Sequence, residues 1–355
     1  MEPMLVHARF KLVLLSSLLL SPLVTPIILA QQETPAPAGD MIRLDVVVTP
    51  KAGGSPFAGL EQKDFTLLDN KAPQPITSFK AVNSSQEPIE VILLIDAVNT
   101  TYQTIAYERN QIDAFLRANG GKLAHPIKLA IFGDTGTQIQ DSFSVDGNAI
   151  ANSLDKQTVA LRSLRRSAGF YGAEERFDLS MRTLAQLGAA EAAHPGRKLI
   201  LWVSPGWPLL SGPGVQIDGK QQQQLFTAIV QISTELRQSR ITLYNVNPLG
   251  ASEPTLNVFY YEQFVKGIAK PSQVSAGNLA LQVIATQSGG LVLNSNNDVS
   301  ALLRQAFADA DNWYEISFES AAAERPNEFH QIQVQVDKPG LVARTRQGYY
   351  AQPSR

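Results

Sequence analysis

The sequence predicts an α/β fold: a doubly wound, mostly parallel sheet of Rossmann-like type, with a small all-β sandwich formed from the two ends of the chain. Three observations predict it. Four apolar runs of strand length, 91–95, 127–132, 198–203 and 241–246, alternate with helical stretches between residues 90 and 310. The run at 91–95, VILLI, is apolar on both faces, as a strand in the middle of a parallel sheet must be. Outside 90–310 the pattern changes to strict alternation, the signature of half-buried strands.

The N-terminus reads as an export signal. His7, Arg9 and Lys11 precede an apolar stretch at 12–29, broken by Pro22 and Pro26, and Ala30 then meets Gln31 and Gln32. That charged, apolar, small-residue order is a secretory signal, with cleavage expected near Ala30. The two prolines and the short apolar length disfavour a membrane-spanning helix, and no transmembrane segment is expected after cleavage. Residues 31–40, QQETPAPAGD, form a linker.

Residues 41–84 read as an N-terminal β segment. Ile42, Leu44, Val46 and Val48 share one face of a strand, and Val47 is the exception on the other face. A turn at Gly53–Pro56, a short strand at 65–68 and prolines at 73 and 75 follow. This piece is too small to be stable alone. Residues 89–311 form the α/β domain. After the first strand come a helix from about 101 to 118, a strand at 127–132, an edge strand at 138–143 and a short helix at 148–154. Leu161–Tyr171 is a basic loop with Arg162, Arg165 and Arg166. A helix at 174–193, a strand at 198–203, a helix at 221–239 and a strand at 241–246 come next. The stretch 248–275 is long and irregular, with an aromatic cluster from Phe259 to Phe264. A helix at 278–287, a short strand at 291–293 and a helix at 299–310 complete the domain. Residues 312–355 alternate again: Tyr314, Ile316 and Phe318, then Ile332, Val334 and Val336, then one strand at 341–350. This C-terminal β segment is expected to pair with 41–84, leaving the α/β domain as an insertion.

Composition narrows the function. The 355 residues carry 30 basic and 32 acidic side chains, with no basic stripe for nucleic acid. There is no cysteine, so neither a disulfide nor a cysteine nucleophile exists. An exported chain of this length without disulfides relies on its core and points to a bacterial cell envelope, as a secreted or periplasmic protein. Of four histidines, His125 and His194 precede proline, His330 lies in a strand, and none has zinc-ligand spacing with another. No Walker loop, dinucleotide fingerprint or Gly-x-Ser-x-Gly occurs. The chain is therefore not expected to be an enzyme.

The candidate site is the loop Asp96-Ala97-Val98-Asn99-Thr100, at the carboxyl end of the first strand, where open α/β sheets hold ligands. The plainer reading of the loop is that Asp96 ends the strand, caps the next helix or hydrogen-bonds the loop amides, with Thr100 as a helix cap. Asp134 ends the second strand, and Ser204-Pro205-Gly206-Trp207-Pro208 leaves the third at the same edge. Trp207 is either an interface anchor or buried under its own loop.

The stretch 91–100, the α/β alternation after it and the strand 198–203 resemble a von Willebrand factor type A domain. That resemblance implies an adhesion site of Asp-x-Ser-x-Ser form after the first strand, joined by a Thr and an Asp from later loops. Asp96 matches the first Asp and Thr100 the second Ser. Val98 stands at the first Ser, Pro205 replaces the later acid, and Glu174 or Glu175 lies nearest the Thr loop. Residues 60–79 and Gly348-Tyr349-Tyr350 look like the flanks of this domain in bacterial exported von Willebrand factor A-related proteins of the acidobacterial type. The resemblance implies a module that binds another protein through Asp96, Asn99, Thr100, Asp134, Glu174 and Trp207. No cofactor is required; a weakly held Mg²⁺ or Mn²⁺ on Asp96 and Thr100 is the one candidate, since such ions want about six oxygens. The competing expectations are a hydrolase with Asp96 as acid or base, and a structural envelope protein.

Overall fold

The computed structural model describes residues 40–85, 87, 89–157, 169–208, 217–250 and 260–353. The expected export signal at 1–30, most of the linker, Arg162, Arg165, Arg166 and Phe259 lie outside the described residues.

The central sheet is built from β5 (Glu90–Asp96), β6 (Lys122–Gly133), β7 (Gly136–Ile139), β8 (Ser144–Asp146), β9 (Lys198–Val203), β10 (Ile241–Val246) and β11 (Val292–Leu293). Its spatial order is β11-β10-β9-β5-β6-β7, with β8 pairing β6. β7 and β8 run antiparallel to β6, and the remaining pairs are parallel. Taken from β5, the order is the doubly wound one, and its direction reverses between β5 and β9.

Both faces of this sheet are covered, which is why β5 is apolar throughout. Val91, Leu93 and Ile95 pack with Ile105, Ile112 and Phe115 of α1 (Tyr102–Leu116), Ile150 of α2 (Gly147–Lys156) and Leu302 and Leu303 of α6 (Val299–Ala308). Ile92 and Leu94 face the other way, into Leu184 and Leu187 of α3 (Gly169–Ala192), Phe226 and Ile229 of α4 (Gly219–Gln238) and Ile284 of α5 (Leu281–Gln287). Side chains alternate across a strand, so one uninterrupted apolar run supplies two cores. The helix expected at 278–287 begins as a 3-10 turn, Ala276–Leu279, and becomes α-helical only at Leu281. At the end of α5 the chain runs against β10. A β-carbon on Gly290 would meet the Leu243 carbonyl oxygen, so this approach demands glycine.

The two ends of the chain interleave in two antiparallel sheets. One has the order β14-β1-β12-β4 and the other β15-β13-β2-β3. Here β1 is Met41–Pro50, β2 Phe65–Asp69, β3 Ala72–Gln74, β4 Ser78–Asn83, β12 Asn312–Glu319, β13 Glu328–Val336, β14 Leu341–Arg344 and β15 Gly348–Ala351. Strands from both sheets share an apolar cluster that includes Ile42, Leu44, Phe65, Leu67, Ile316, Phe318 and Val334. Inside it, Tyr349 donates to Asp69 at 2.6 Å and His330 Nδ1 pairs with the same carboxylate at 3.0 Å. That hydrogen bond, against the opposing effect of burial, holds the imidazole pKa above its ordinary value.

Two departures from the sequence reading have physical causes. Val47, the exception in the alternation of β1, is 2% exposed and packs into the α1 side of the central sheet with Val82 and Trp313. The outer face of β1 is therefore covered at Val47, while Met41 and Arg43 on the same face stay exposed. The single strand expected at 341–350 is two strands in two different sheets. The chain breaks at 345–347 because Thr345 Oγ1 donates to the Asp45 carbonyl at 2.8 Å and the buried Arg346 turns inward. The same junction carries Arg240, which ion-pairs with Asp45 and Glu315. Burial disfavours its charge, but the two carboxylates raise its pKa overall.

Candidate functional site

Asp96 is the last residue of β5, with Phe132 of β6 as its register partner on one side. On the other side Ile95 pairs with Val203, so the chain leaving β9 at Ser204 runs directly beside it. The carboxylate thus lies at the reversal point of the sheet. It is 0% exposed.

Protein donors surround it. Oδ1 accepts from the Val98 amide at 2.9 Å and the Asn99 amide at 2.8 Å. Oδ2 accepts from Asn99 Nδ2 at 2.9 Å, Ser204 Oγ at 2.8 Å and Trp202 Nε1 at 3.3 Å. A carboxylate offers about four lone-pair sites. Five donors fill them. The local cause lies in the sequence after the strand: Ala97-Val98-Asn99 turns back so that two successive amides point at the side chain they follow, an Asx-type turn.

The neighbouring side chains extend this network. Asn99 Nδ2 also donates to Ser180 Oγ on α3 at 3.0 Å, and Ser180 donates to the Arg176 carbonyl at 2.7 Å. Ser204 Oγ accepts the Gly206 amide at 3.0 Å, and its own carbonyl accepts from Asn245 at 2.8 Å. Thr100, 3% exposed, turns its hydroxyl inward and donates to Glu108 Oε1 at 3.2 Å. Glu108 is 0% exposed on α1. Its pKa lies well above the ordinary carboxyl value because burial, and then the Asp96 charge, oppose ionisation, more than Thr100 offsets. Burial beside the Asp96 carboxylate therefore biases Glu108 towards its neutral, protonated form.

The remaining expected site residues fall around this centre. Val98, where the resemblance asks for a serine, is 1% exposed and packs in the core on the α3 side. Trp207 is 4% exposed, not a surface anchor: its indole packs edge-on against Trp202 with centroids 5.1 Å apart and donates to the Leu279 carbonyl at 2.7 Å. Asp134 is half-buried in the tight turn between β6 and β7, at the same edge of the sheet. Glu174 is exposed on α3, six residues before Ser180. The structure thus joins Asp96 and Asn99 directly, places Thr100 beside them through Glu108, and leaves Asp134, Glu174 and Trp207 without a hydrogen bond to Asp96.

The donor set does not fit Mg²⁺ or Mn²⁺. Such a cation needs about six oxygens with free lone pairs. The Asp96 oxygens face N–H and O–H groups, the Thr100 hydroxyl donates to Glu108, and Val98 supplies none. Among the described residues, one group has ligand-like proximity, with Glu90, Glu191 and His194 each placing an atom within 4.8 Å of the others. It lies at the opposite, amino end of the strands. There Glu191 already bonds Lys128 Nζ at 3.4 Å and His194 Nδ1 at 2.9 Å, so an ammonium supplies the positive charge.

Sequence reading placed Ser204 in the loop beside Asp96 without giving it a role, and missed Trp202, Ser180 and Glu108 as parts of this site. Only Glu108 left a signal: Ile105, Glu108, Ile112 and Phe115 share one face of α1, so the acid interrupts an apolar stripe.

No family model matches the chain, and no curated protein matches it. Among solved structures it is similar to the human COPII-coat protein Sec24c, at 13% identity and a TM-score of 0.34, over 78% of this chain and 44% of that one. It is similar to the SpRpn10 VWA domain at 12% identity and a TM-score of 0.31, over 61% of this chain and 95% of that one. It is also similar to the pilus adhesin SpaC from Lactobacillus rhamnosus GG, at 9% identity and a TM-score of 0.40, over 84% of this chain and 49% of that one. The chain thus spans about half the length of two of these structures.

Proposed function

We propose that this protein is an exported binding module of the bacterial von Willebrand factor A-related type, an α/β domain inserted in a terminal β-sandwich. In this reading it recognises another protein through the loops at the carboxyl edge of the central sheet, without a metal ion and without catalysis. The observation that carries it is the saturated Asp96 carboxylate. One buried acid ties 97–100 to the chain leaving β9, and Asn99 links the same knot to α3. Loops held this way are preorganised, which reduces the entropy cost of engaging a partner. The same saturation removes Asp96 as a general acid or base, because its five partners are amides, an indole and a hydroxyl, none able to exchange a proton near neutral pH.

Chemical crosslinking of the purified protein to cell-envelope extract tests the proposal. The same crosslinked bands must vanish for Asp134→Arg and Thr101→Arg at the carboxyl edge and persist for Lys122→Glu at the amino edge, in the presence or absence of EDTA. Bands that survive the first two substitutions, or that depend on Mg²⁺, refute it.

A further inference from the structure

Beneath α4 lies a small cavity that the Asp96 network does not reach. It is bounded by the 3-10 turn at 276–279, by α5 and by the crossover between β14 and β15. Half of the residues in its wall are aliphatic: Ile229, Ile232, Leu236, Leu279 and Ile284. Into this wall the crossover inserts Arg346, 8% exposed.

A buried guanidinium needs a carboxylate or several carbonyls, because removing its charge from water is costly. Arg346 has neither: among the described residues its side chain makes no hydrogen bond and no ion pair. The other polar groups in the wall are engaged elsewhere. Asn278 donates to the Phe264 carbonyl and accepts from Ser275, Gln287 donates to the Val265 carbonyl, and Ser288 donates to the Ala285 carbonyl. Ser233, on α4, lines the cavity, and its hydroxyl has no hydrogen bond among the described residues. Asp45, the acid whose charge acts on Arg346, has both oxygens on Arg240. A second arginine with no ion pair among the described residues, Arg237 on α4, is near enough to repel it. Burial first, then Arg237, lower the Arg346 pKa to about 10, so the guanidinium is still charged at neutral pH.

We propose that this cavity binds one small inorganic anion of the halide class, held by the Arg346 guanidinium and the Ser233 hydroxyl. The charge calls for an anion, and the space selects its size. The cavity measures about 20 Å³, room for a single water-sized body. One small ion matches that space, and the wall's other polar side chains, Asn278, Gln287 and Ser288, already bond elsewhere, so few donors remain for the oxygens of a larger anion. A halide needs few donors and tolerates apolar neighbours. The bound ion is an internal counter-charge, neutralising the one cation that the crossover carries under α4, and it couples the antiparallel sheets to the α/β layers.

Bromide is the probe. Crystals of the full chain grown in sodium bromide are expected to show an anomalous peak within hydrogen-bond reach of the Arg346 guanidinium. In solution, thermal melting at constant ionic strength is expected to show a Tm that rises saturably as bromide replaces gluconate. The rise disappears in Arg346→Met. Should that variant fail to fold, Ser233→Leu fills the cavity from α4 with the guanidinium intact, and it too abolishes the rise. A cavity without an anomalous peak, or melting curves that superimpose in bromide and gluconate, overturns the proposal. So does a bromide response retained by Ser233→Leu.

Discussion

Glu108 shows how a single side chain carries information about its surroundings. A glutamate buried on the apolar stripe of α1, with no ion pair among the described residues, has its pKa raised well above the ordinary value. Its folded pKa is raised above the ordinary unfolded value, so between the two the native state binds more protons than the unfolded chain. Stability therefore falls as pH rises through that window, by up to about 1.4 kcal/mol per pH unit for one such group. Glu108→Gln keeps an acceptor for Thr100 and removes the titration. The variant is expected to show a flatter stability profile above pH ~4.5 than the wild type, and to equal or exceed it at pH 8. Urea unfolding across pH checks this, and parallel profiles refute it. Asp96 was legible as the end of a buried strand that bonds its own loop amides, whereas the donors from Trp202 and Ser204 that complete its saturation were not. Its donors come from 98–99, from Trp202 and from Ser204, stretches about a hundred residues apart whose proximity only the sheet creates.

At the scale of elements, the strands buried on both faces were the most legible. Lys198–Val203 and Ile241–Val246 have the boundaries read from the sequence, because an apolar run between polar ends leaves little choice of register. Short elements depend more on their neighbours. α5 and β11 are joined at Gly290 with the Leu243 carbonyl against the α-carbon, which leaves no space for a methyl group. Gly290→Ala is expected to destabilise the protein by roughly 2–3 kcal/mol, in the range of core overpacking. Chemical denaturation measures it, and a midpoint within error of the wild type contradicts the packing described. Trp207 makes the same point in reverse. Between two prolines its sequence suits an exposed anchor equally well, and its burial follows from Trp202 and the Leu279 carbonyl, which no local pattern announces.

Across the whole molecule, the chain ends complete each other. β1 pairs with β12 and β14, and β13 pairs with β2 and β15, so neither terminal segment has a sheet of its own. Truncation after residue 311 removes both neighbours of β1 and uncovers Ile42, Leu44 and Val46 on one face and the Trp313 contact of the α/β core on the other. The truncated protein is expected to lose cooperative unfolding of the terminal strands and to aggregate through the bared edge. Circular-dichroism melting and size-exclusion chromatography read this out; a monomer that melts as sharply as the full chain refutes it. By itself the sequence determined the layered α/β class, the strands of the central sheet and the place of the carboxylate at their ends. Those follow from hydrophobic period and run length, which are local. Only the tertiary structure decided that the carboxylate is sealed, that the final strand divides between two sheets, and that Arg346 lies buried with no ion pair among the described residues. Each of these depends on which distant atoms become neighbours, and a hydrogen bond or an ion pair acts only at contact distance.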